Sequence, residues 1–299
     1  MEPLEAGAWI LAAAMEAELI DHQVSTGHNV AYATRPLTPE EEAAGTRFGD
    51  LADATDKAVT AATPTTDLLY DLTIAAVLAE AFTTDDEEEE TSVEELLLLL
   101  LLLLGRPPGP VTDAQDIAAA RVEDIITDTY TLGVTSIYDE ATHQGADPGQ
   151  PPALSPAPIL LGLAAVIAAH PWRRTIERAI TEYSTPARQL DGTVTRGQVE
   201  EFITDTSRAG TIDQVNQAIN SAISQGRLDA AEQIEGMIKE IYASEIRDEN
   251  QCAACRVIDG TRFKNLTEAR KAYPNGGYHA CAGGQRCRGT CIVIFKTQG

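Results

Sequence analysis

Near its C-terminus the chain reads NQCAACRVIDG (250–260) and then YHACAGGQRCRGTCIVIF (278–295). These two stretches contain every cysteine of the 299 residues: Cys252, Cys255, Cys281, Cys287 and Cys291. Around them, helix-favouring sequence gives way to short β-capable runs and glycine-rich turns. The change predicts a small α+β module at the end of a body of a different kind.

The body before this module is rich in Ala and Leu, and aromatic residues make up only 5% of the chain. Because helix propensity follows Ala and Leu, we expect a mainly α fold with a small C-terminal α+β module. Composition also divides the chain. The expected regions are an acidic helical region (1–145), a Pro-rich linker (146–158), a second helical region (159–249) and the Cys-rich module (250–299).

The net charge of −24 is spread unevenly along the chain. Residues 241–299 carry nine Lys and Arg against five Asp and Glu, whereas residues 1–240 carry 13 against 41. A body this acidic repels a phosphate backbone, so we do not expect general coating of nucleic acid. The small basic end is still suited to contact DNA or an acidic protein.

A run of nine leucines, Leu96–Leu104, follows the acidic stretch DDEEEE (85–90). As a helix the leucines extend for about 13 Å, and crossing a bilayer needs roughly twenty apolar residues, so we expect no membrane span here. The preceding acids and the following Gly105 suit the ends of a helix. We predict a helix that is apolar all round and therefore buried, preceded by a solvated acidic loop.

The elements of the C-terminal module follow from turn and cap signals. Asp259-Gly260 joins two short β-capable runs and predicts a β-hairpin. Asn265, with Glu268 three residues later, predicts the start of a short helix, and Thr290–Phe295 predicts a closing strand. The spacing of apolar residues from Ile234 to Tyr242 predicts one more helix before the module.

About fifty residues with few large apolar side chains are too few to fold without a staple. Four thiolates, from Cys252, Cys255, Cys281 and Cys287, suit a closed tetrahedral structural zinc site. His279 is a possible substitute for Cys281, and Cys291 in the apolar strand is expected to be a buried small hydrophobe. Nearby arginines would balance the negative charge of such a site; they are Arg256, Arg286 and Arg288.

Catalytic uses of the cysteines fit the sequence poorly, and we predict that the protein is not an enzyme. A zinc deaminase needs His-x-Glu, and no His of the chain is followed two residues later by Glu. A Cys-x-x-Cys redox site lies at a helix N-terminus, which the expected hairpin does not provide.

Residues 242–263 and 272–290 together resemble the C-terminal region of the phage Mu protein F-like family, the minor head or head-morphogenesis proteins of tailed bacteriophages. The shared pattern is C-x2-C-x3-D-G, then Y-P-x-G-G-Y, then C-x-G-G-x-R-C-R-G-T before an apolar strand. The resemblance covers roughly residues 195–297. The matching positions are Cys252, Cys255, Asp259, Gly260, Cys281 and Cys287, whereas His279 and Cys291 depart from the pattern.

The resemblance implies a virion protein present in few copies and assembled in the cytoplasm of a host bacterium. Its expected place is the capsid interior or the portal vertex, where it acts in head assembly or genome delivery. The expected partners are the portal protein, the major capsid protein or both, and contact with the genome end is a further expectation. The alternative is a zinc ribbon that acts outside a capsid as an adaptor for nucleic acid or protein.

Overall fold

The computed structural model describes residues 39–206, 208–245, 252–274, 277–282 and 289–296. The fold is mainly α with a small C-terminal sheet, as predicted. The helices are α1 Pro39–Ala81, α2 Val93–Gly105, α3 Gly109–His143, α4 Pro158–Tyr183, α5 Pro186–Asp191, α6 Arg196–Thr204, α7 Ala209–Gln233, α8 Ala253–Ile258 and α9 Leu266–Ala272. The strands are β1 Glu90–Ser92, β2 Thr193–Thr195, β3 Ile238–Ser244, β4 Arg262–Phe263 and β5 Thr290–Phe295.

The described residues form two compact units, and each unit is assembled from separated stretches of the chain. The helical unit contains 51–133 and 153–226. The sheet unit contains the C-terminal module from residue 227 onward, together with 134–152 and 39–50. The Pro-rich stretch between α3 and α4 has no regular secondary structure.

The helical unit is organised around an apolar core to which α2 and α4 both contribute. Leu100 and Ile176 are fully buried there, and the indole Nε1 of Trp172 donates to the carbonyl of Leu103 at 3.0 Å. Close backbone packing occurs elsewhere in this unit. A Cβ on Gly133 would lie 2.2 Å from the carbonyl oxygen of Ile223, so α3 and α7 approach more closely than any side chain permits.

The leucine run forms the predicted helix, but only one side of it is buried. Ser92 caps α2 by accepting a hydrogen bond from the Glu95 amide at 3.1 Å, and the helix ends at Gly105. The prediction of all-round burial is wrong, because three leucines are 55% to 65% exposed. They are Leu98, Leu101 and Leu102.

The acidic loop ahead of α2 has defined hydrogen bonds. The carboxylate of Glu89 accepts from the amides and hydroxyls of Thr83 and Thr84 at 2.6 to 2.9 Å. These hydrogen bonds, those of Thr83 first, lower the pKa of Glu89 to about 2. The residues that follow pair as β1 with β2 in an antiparallel ribbon. The loop is thus tied to the start of α6.

The C-terminal sheet has three antiparallel strands in the order β4-β3-β5. Its central strand, β3, occupies the stretch for which a helix was predicted, so that prediction is wrong. The short helix after Asn265 and the closing strand are confirmed as α9 and β5, and the amide of Glu268 donates to the side chain of Asn265 at 2.9 Å.

Among the described residues no single helix is both long and apolar enough to cross a membrane. Helices α2 and α3 meet the length and composition criteria only as a pair, and a bend of 40° separates them.

Candidate metal centre

The Cys-x-x-Cys turn lies at the start of α8, where Cys252 is the N-cap residue. The thiol of Cys252 accepts a hydrogen bond from the amide of Cys255 at 3.4 Å. Sulfur therefore takes the place of the Ser, Thr or Asp oxygen that usually caps a helix. This arrangement turns both thiols toward one point, and Cys255 is buried whereas Cys252 is half-buried.

The predicted β-hairpin at Asp259-Gly260 is wrong, because the run before this turn is helix α8. Gly260 has φ of 77° and its amide donates to the carbonyl of Ala243 at 2.8 Å. The turn thus leads the chain from α8 into β4, beside β3. The expected lack of a helix N-terminus at the Cys-x-x-Cys pair was one reason for predicting that the protein is not an enzyme. That reason no longer holds, because Cys252 and Cys255 do lie at a helix N-terminus.

A third thiol, that of Cys281, joins the pair from the segment after α9. The sulfur atoms of Cys252, Cys255 and Cys281 all lie within 4.8 Å of one another. Cys252 Sγ and Cys281 Sγ are 3.7 Å apart, too far for a disulfide bond of about 2.05 Å. Four sulfurs about 2.3 Å from a zinc ion would lie about 3.8 Å apart, so this separation fits a tetrahedron edge.

The surroundings of Cys252 favour its thiolate form. Burial alone would raise the pKa of the Cys252 thiol, but the backbone amides of Cys255 and Ala282, together with the neighbouring thiols, lower it overall. Metal ligation needs the thiolate, and amide-to-sulfur hydrogen bonds orient and stabilise thiolate ligands. The donor set is thus three soft sulfur ligands, a chemistry that can hold a metal ion.

The remaining candidate ligands have different positions. Cys287, the predicted fourth ligand, lies outside the described residues. His279 is exposed and does not belong to the group of three thiols; its ring Nδ1 lies 3.2 Å from the carbonyl oxygen of Ala272. Cys291 is buried in β5 opposite Ala243, and burial raises its pKa to about 12. A buried thiol that stays protonated packs as a small apolar side chain, which is the role predicted for Cys291.

The basic residues of the module include several that are engaged in ion pairs. Arg262 pairs with Glu240 on the neighbouring strand. Arg270 contacts Asp229 at 2.7 Å and Glu232 at 2.9 Å on α7. Arg256, beside the cysteine pair, is exposed. Arg286 and Arg288 lie outside the described residues, so their predicted charge balance to the site stays a prediction.

A buried ion pair beneath the sheet was missed by sequence reasoning. Arg227 donates to both carboxylate oxygens of Glu140, at 2.5 and 3.0 Å, and the two side chains are 3% and 5% exposed. Arg227 also reaches the carbonyl of Cys291 at 3.4 Å and the hydroxyl of Ser136 at 2.9 Å. The pair therefore fixes β5 to the C-terminal ends of α3 and α7.

A second buried carboxylate, Glu245, follows β3 directly. It accepts a hydrogen bond from the hydroxyl of Tyr273 at 2.6 Å, and its own amide donates to Asp259 Oδ1 at 3.1 Å. These bonds connect β3 to the turn after α8 and to the end of α9. The sequence around these groups gives no signal of burial, since Arg227, Glu140 and Glu245 all have polar or charged neighbours along the chain.

Comparison of the chain with models of known protein families, with curated proteins and with solved structures finds no match.

Proposed function

We propose that the protein is a minor head protein of a tailed bacteriophage, present in few copies and bound to the portal protein, the major capsid protein or both. Its role is structural, in head assembly or genome delivery, and not enzymatic. The observation that carries the proposal is the cysteine, glycine and arginine pattern of residues 252–290, which resembles the phage Mu protein F-like family. Three cysteines of this pattern lie close together, which supports a common structural role for them.

The test is the composition of heads made by the phage whose genome encodes the chain. Quantitative mass spectrometry of purified heads and procapsids should detect a few copies per particle. Deletion of the gene should give aberrant or DNA-deficient heads, because an assembly component is missing. Heads and procapsids that both lack the chain, or that form normally without it, would contradict the proposal.

The metal bound by this module is proposed to be zinc. A site made of thiolates, with no position left for substrate, is typical of structural zinc. Cys252, Cys255 and Cys281 supply three ligands, and Cys287 supplies the fourth. When bound, the ion would stabilise a module whose own apolar core is small, because metal binding and folding are coupled in such units.

Elemental analysis of the purified full-length protein tests the zinc site. We expect about one zinc per chain. Cys252→Ser should lose the metal, whereas the matched control Cys291→Ala should keep it. Parallel Cys287→Ser and His279→Ala variants identify the fourth ligand, since only loss of the true ligand lowers zinc affinity strongly. Full occupancy in Cys252→Ser would refute the site.

A further inference from the structure

One face of α2 is apolar and exposed, and the proposed function does not account for it. Leu98, Leu101 and Leu102 follow one another at helical spacing and form a single stripe, 55% to 65% exposed. The opposite face, which includes Leu96 and Leu100, is in the core. Contiguous exposed apolar surface of this kind marks interaction sites in soluble proteins.

The apolar surface continues from α2 onto α4. Leu104, one turn beyond Leu101, lines an open pocket of about 330 Å³ whose walls include Ala169 and Trp172 of α4. On α4, Val166 lies one turn before Ala169 and is 52% exposed. The pocket therefore lies between Leu104 of α2 and Ala169 and Trp172 of α4, and the exposed stripe of α2 begins one turn from it.

The charges along the stripe differ between its two ends. Glu94 is exposed in the first turn of α2, and Arg106 is exposed directly after its last turn. Glu95 is already engaged, because its carboxylate accepts from the hydroxyl of Ser92 at 2.8 Å. A binding partner that follows the stripe therefore needs a basic group at one end and an acidic group at the other.

A second copy of the same helix, lying antiparallel, meets this requirement. A two-fold axis on the exposed side of α2, level with Leu100, would place Leu98 of each copy opposite Leu102 of the other and bring the Glu94 end of each helix beside the Arg106 end of the other. Antiparallel helices also bring opposite ends of their dipoles together, whereas a parallel pair aligns like ends. In a two-fold dimer the same surface of both copies makes the contact, so that surface has to be complementary to itself. The leucine stripe, with an acidic group at one end and a basic group at the other, meets this condition.

We propose that two copies of this chain associate through the exposed leucine stripe of α2, with the helices antiparallel about Leu100. The occupant of the stripe is thus a second copy and not a lipid surface or an unrelated protein. The net charge of −24 opposes the approach of two copies. The dimer should therefore tighten as salt rises from low values, because screening removes this repulsion while apolar contact persists.

Analytical ultracentrifugation of the full-length protein tests the association. The wild-type protein should show a reversible monomer–dimer equilibrium. Leu98→Glu with Leu102→Glu should weaken it by at least about tenfold, because two charges per copy are then buried at the contact. Leu190→Glu is the matched control, since Leu190 is 88% exposed on α5 and outside the stripe. Circular dichroism and melting temperature confirm that each variant is folded.

Charge exchange tests the antiparallel register. Glu94→Arg alone and Arg106→Glu alone should each weaken the dimer, because like charges then face each other, and the double variant should restore it. A wild-type protein that stays monomeric at all salt concentrations overturns the proposal, as does a double variant that fails to recover. A monomer that floats with phosphatidylcholine vesicles through the same leucines would assign the stripe to lipid and also overturn it.

Discussion

At the residue scale, Gly289 occupies a position where a side chain fits only if Glu245 moves. It is buried, and a Cβ there would lie 2.1 Å from both carboxylate oxygens of Glu245. Glu245 is in turn held by the hydroxyl of Tyr273. The glycine of the R-C-R-G-T run is therefore required by the approach of a carboxylate to the backbone, not by the metal ligands themselves.

Gly289→Ala should destabilise the sheet unit by about 1 to 3 kcal/mol, because the added methyl group displaces a buried, hydrogen-bonded carboxylate. Urea unfolding followed by circular dichroism measures the loss. Gly236→Ala is the control, since a Cβ on Gly236 meets nothing within 4 Å. Equal stability of the two variants would show that Glu245 moves aside freely.

The surroundings of His170 predict how the stability of the folded protein depends on pH. Its Nδ1 lies 2.7 Å from Thr211 Oγ1, which also contacts the hydroxyl of Tyr70. Burial, followed by the charge of Arg174, lowers the pKa of His170 below its usual 6.5, although Glu177 opposes this shift. The unfolded chain therefore binds a proton at a higher pH than the folded one, and stability falls as pH drops below about 6.5.

Melting temperatures of the wild type and His170→Gln between neutral pH and pH 5.5 test this dependence. Above the unfolded pKa His170 is neutral in both states, so the profiles of the two proteins should run parallel. Below it the wild type should lose stability more steeply than the variant, which has no imidazole to protonate at this position. Parallel profiles over the whole window would contradict a contribution from His170.

Sequence reasoning succeeded at the residue scale where a motif marked the residues, and failed where no motif did. The cysteine pattern predicted that Cys252, Cys255 and Cys281 lie together, as their sulfur atoms do. Arg227 gave no comparable signal, because Glu140 lies 87 residues earlier and the carbonyl of Cys291 lies 64 residues later. Such pairs depend on which helix ends meet beneath a sheet, and no spacing rule encodes that.

At the element scale, strand β5 is protected along its outer edge by a side chain in place of another strand. The amide nitrogen of Gln144 donates to the carbonyl of Val293 at 2.9 Å, and its oxygen accepts from the amide of Phe295 at 2.8 Å. Gln144 thus reproduces the hydrogen bonds of a neighbouring strand. A covered edge cannot template pairing with another chain.

Gln144→Ala should lower the free energy of unfolding of the sheet unit by about 1 to 3 kcal/mol, because two edge groups lose their partner. It should also increase light scattering on storage, since the freed edge can pair between molecules. Gln150→Ala is the control, because Gln150 is exposed in the Pro-rich stretch. If both variants scatter light equally, edge protection by Gln144 is excluded.

The two elements that were predicted wrongly have different physical causes. Apolar residues at 234, 238, 241 and 242 satisfy helical spacing, yet the stretch becomes β3 because two strands flank it in the sheet. Helix α8 was missed because Cys is not a usual N-cap residue, so Cys252 carried no helix signal. Tertiary context outweighed helical spacing in β3, and an unusual cap hid α8, whereas α9 has a regular Asn cap and was predicted correctly.

At the scale of the whole molecule, the candidate metal site of Cys252, Cys255 and Cys281 belongs to a unit larger than the Cys-rich module. The end of α3 and the stretch after it contribute residues 134–152, and the end of α7 contributes residues 227–233. Stability supplied by a bound metal should therefore extend to these helix ends, which sequence reasoning had placed in other regions.

Hydrogen exchange with and without a strong zinc chelator tests this extent. Chelation should increase exchange throughout residues 238–296, and also in 134–146 and 227–233, because these stretches share one unit. Exchange in 159–183 should change little, since α4 belongs to the helical unit. An increase confined to 252–281 would show that the metal stabilises only its own loop.

The strand order β4-β3-β5 also decides which recombinant fragments of the chain can form the sheet. Within the described part of the chain both outer strands pair with β3 alone, which begins at Ile238, so a recombinant fragment that starts at residue 250 lacks the strand that joins them. Adding β3 restores the sheet but still omits Arg227 and Gln144. A fragment intended for metal or partner studies therefore has to retain the ends of α3 and α7, and the full-length chain is the simplest protein that does so.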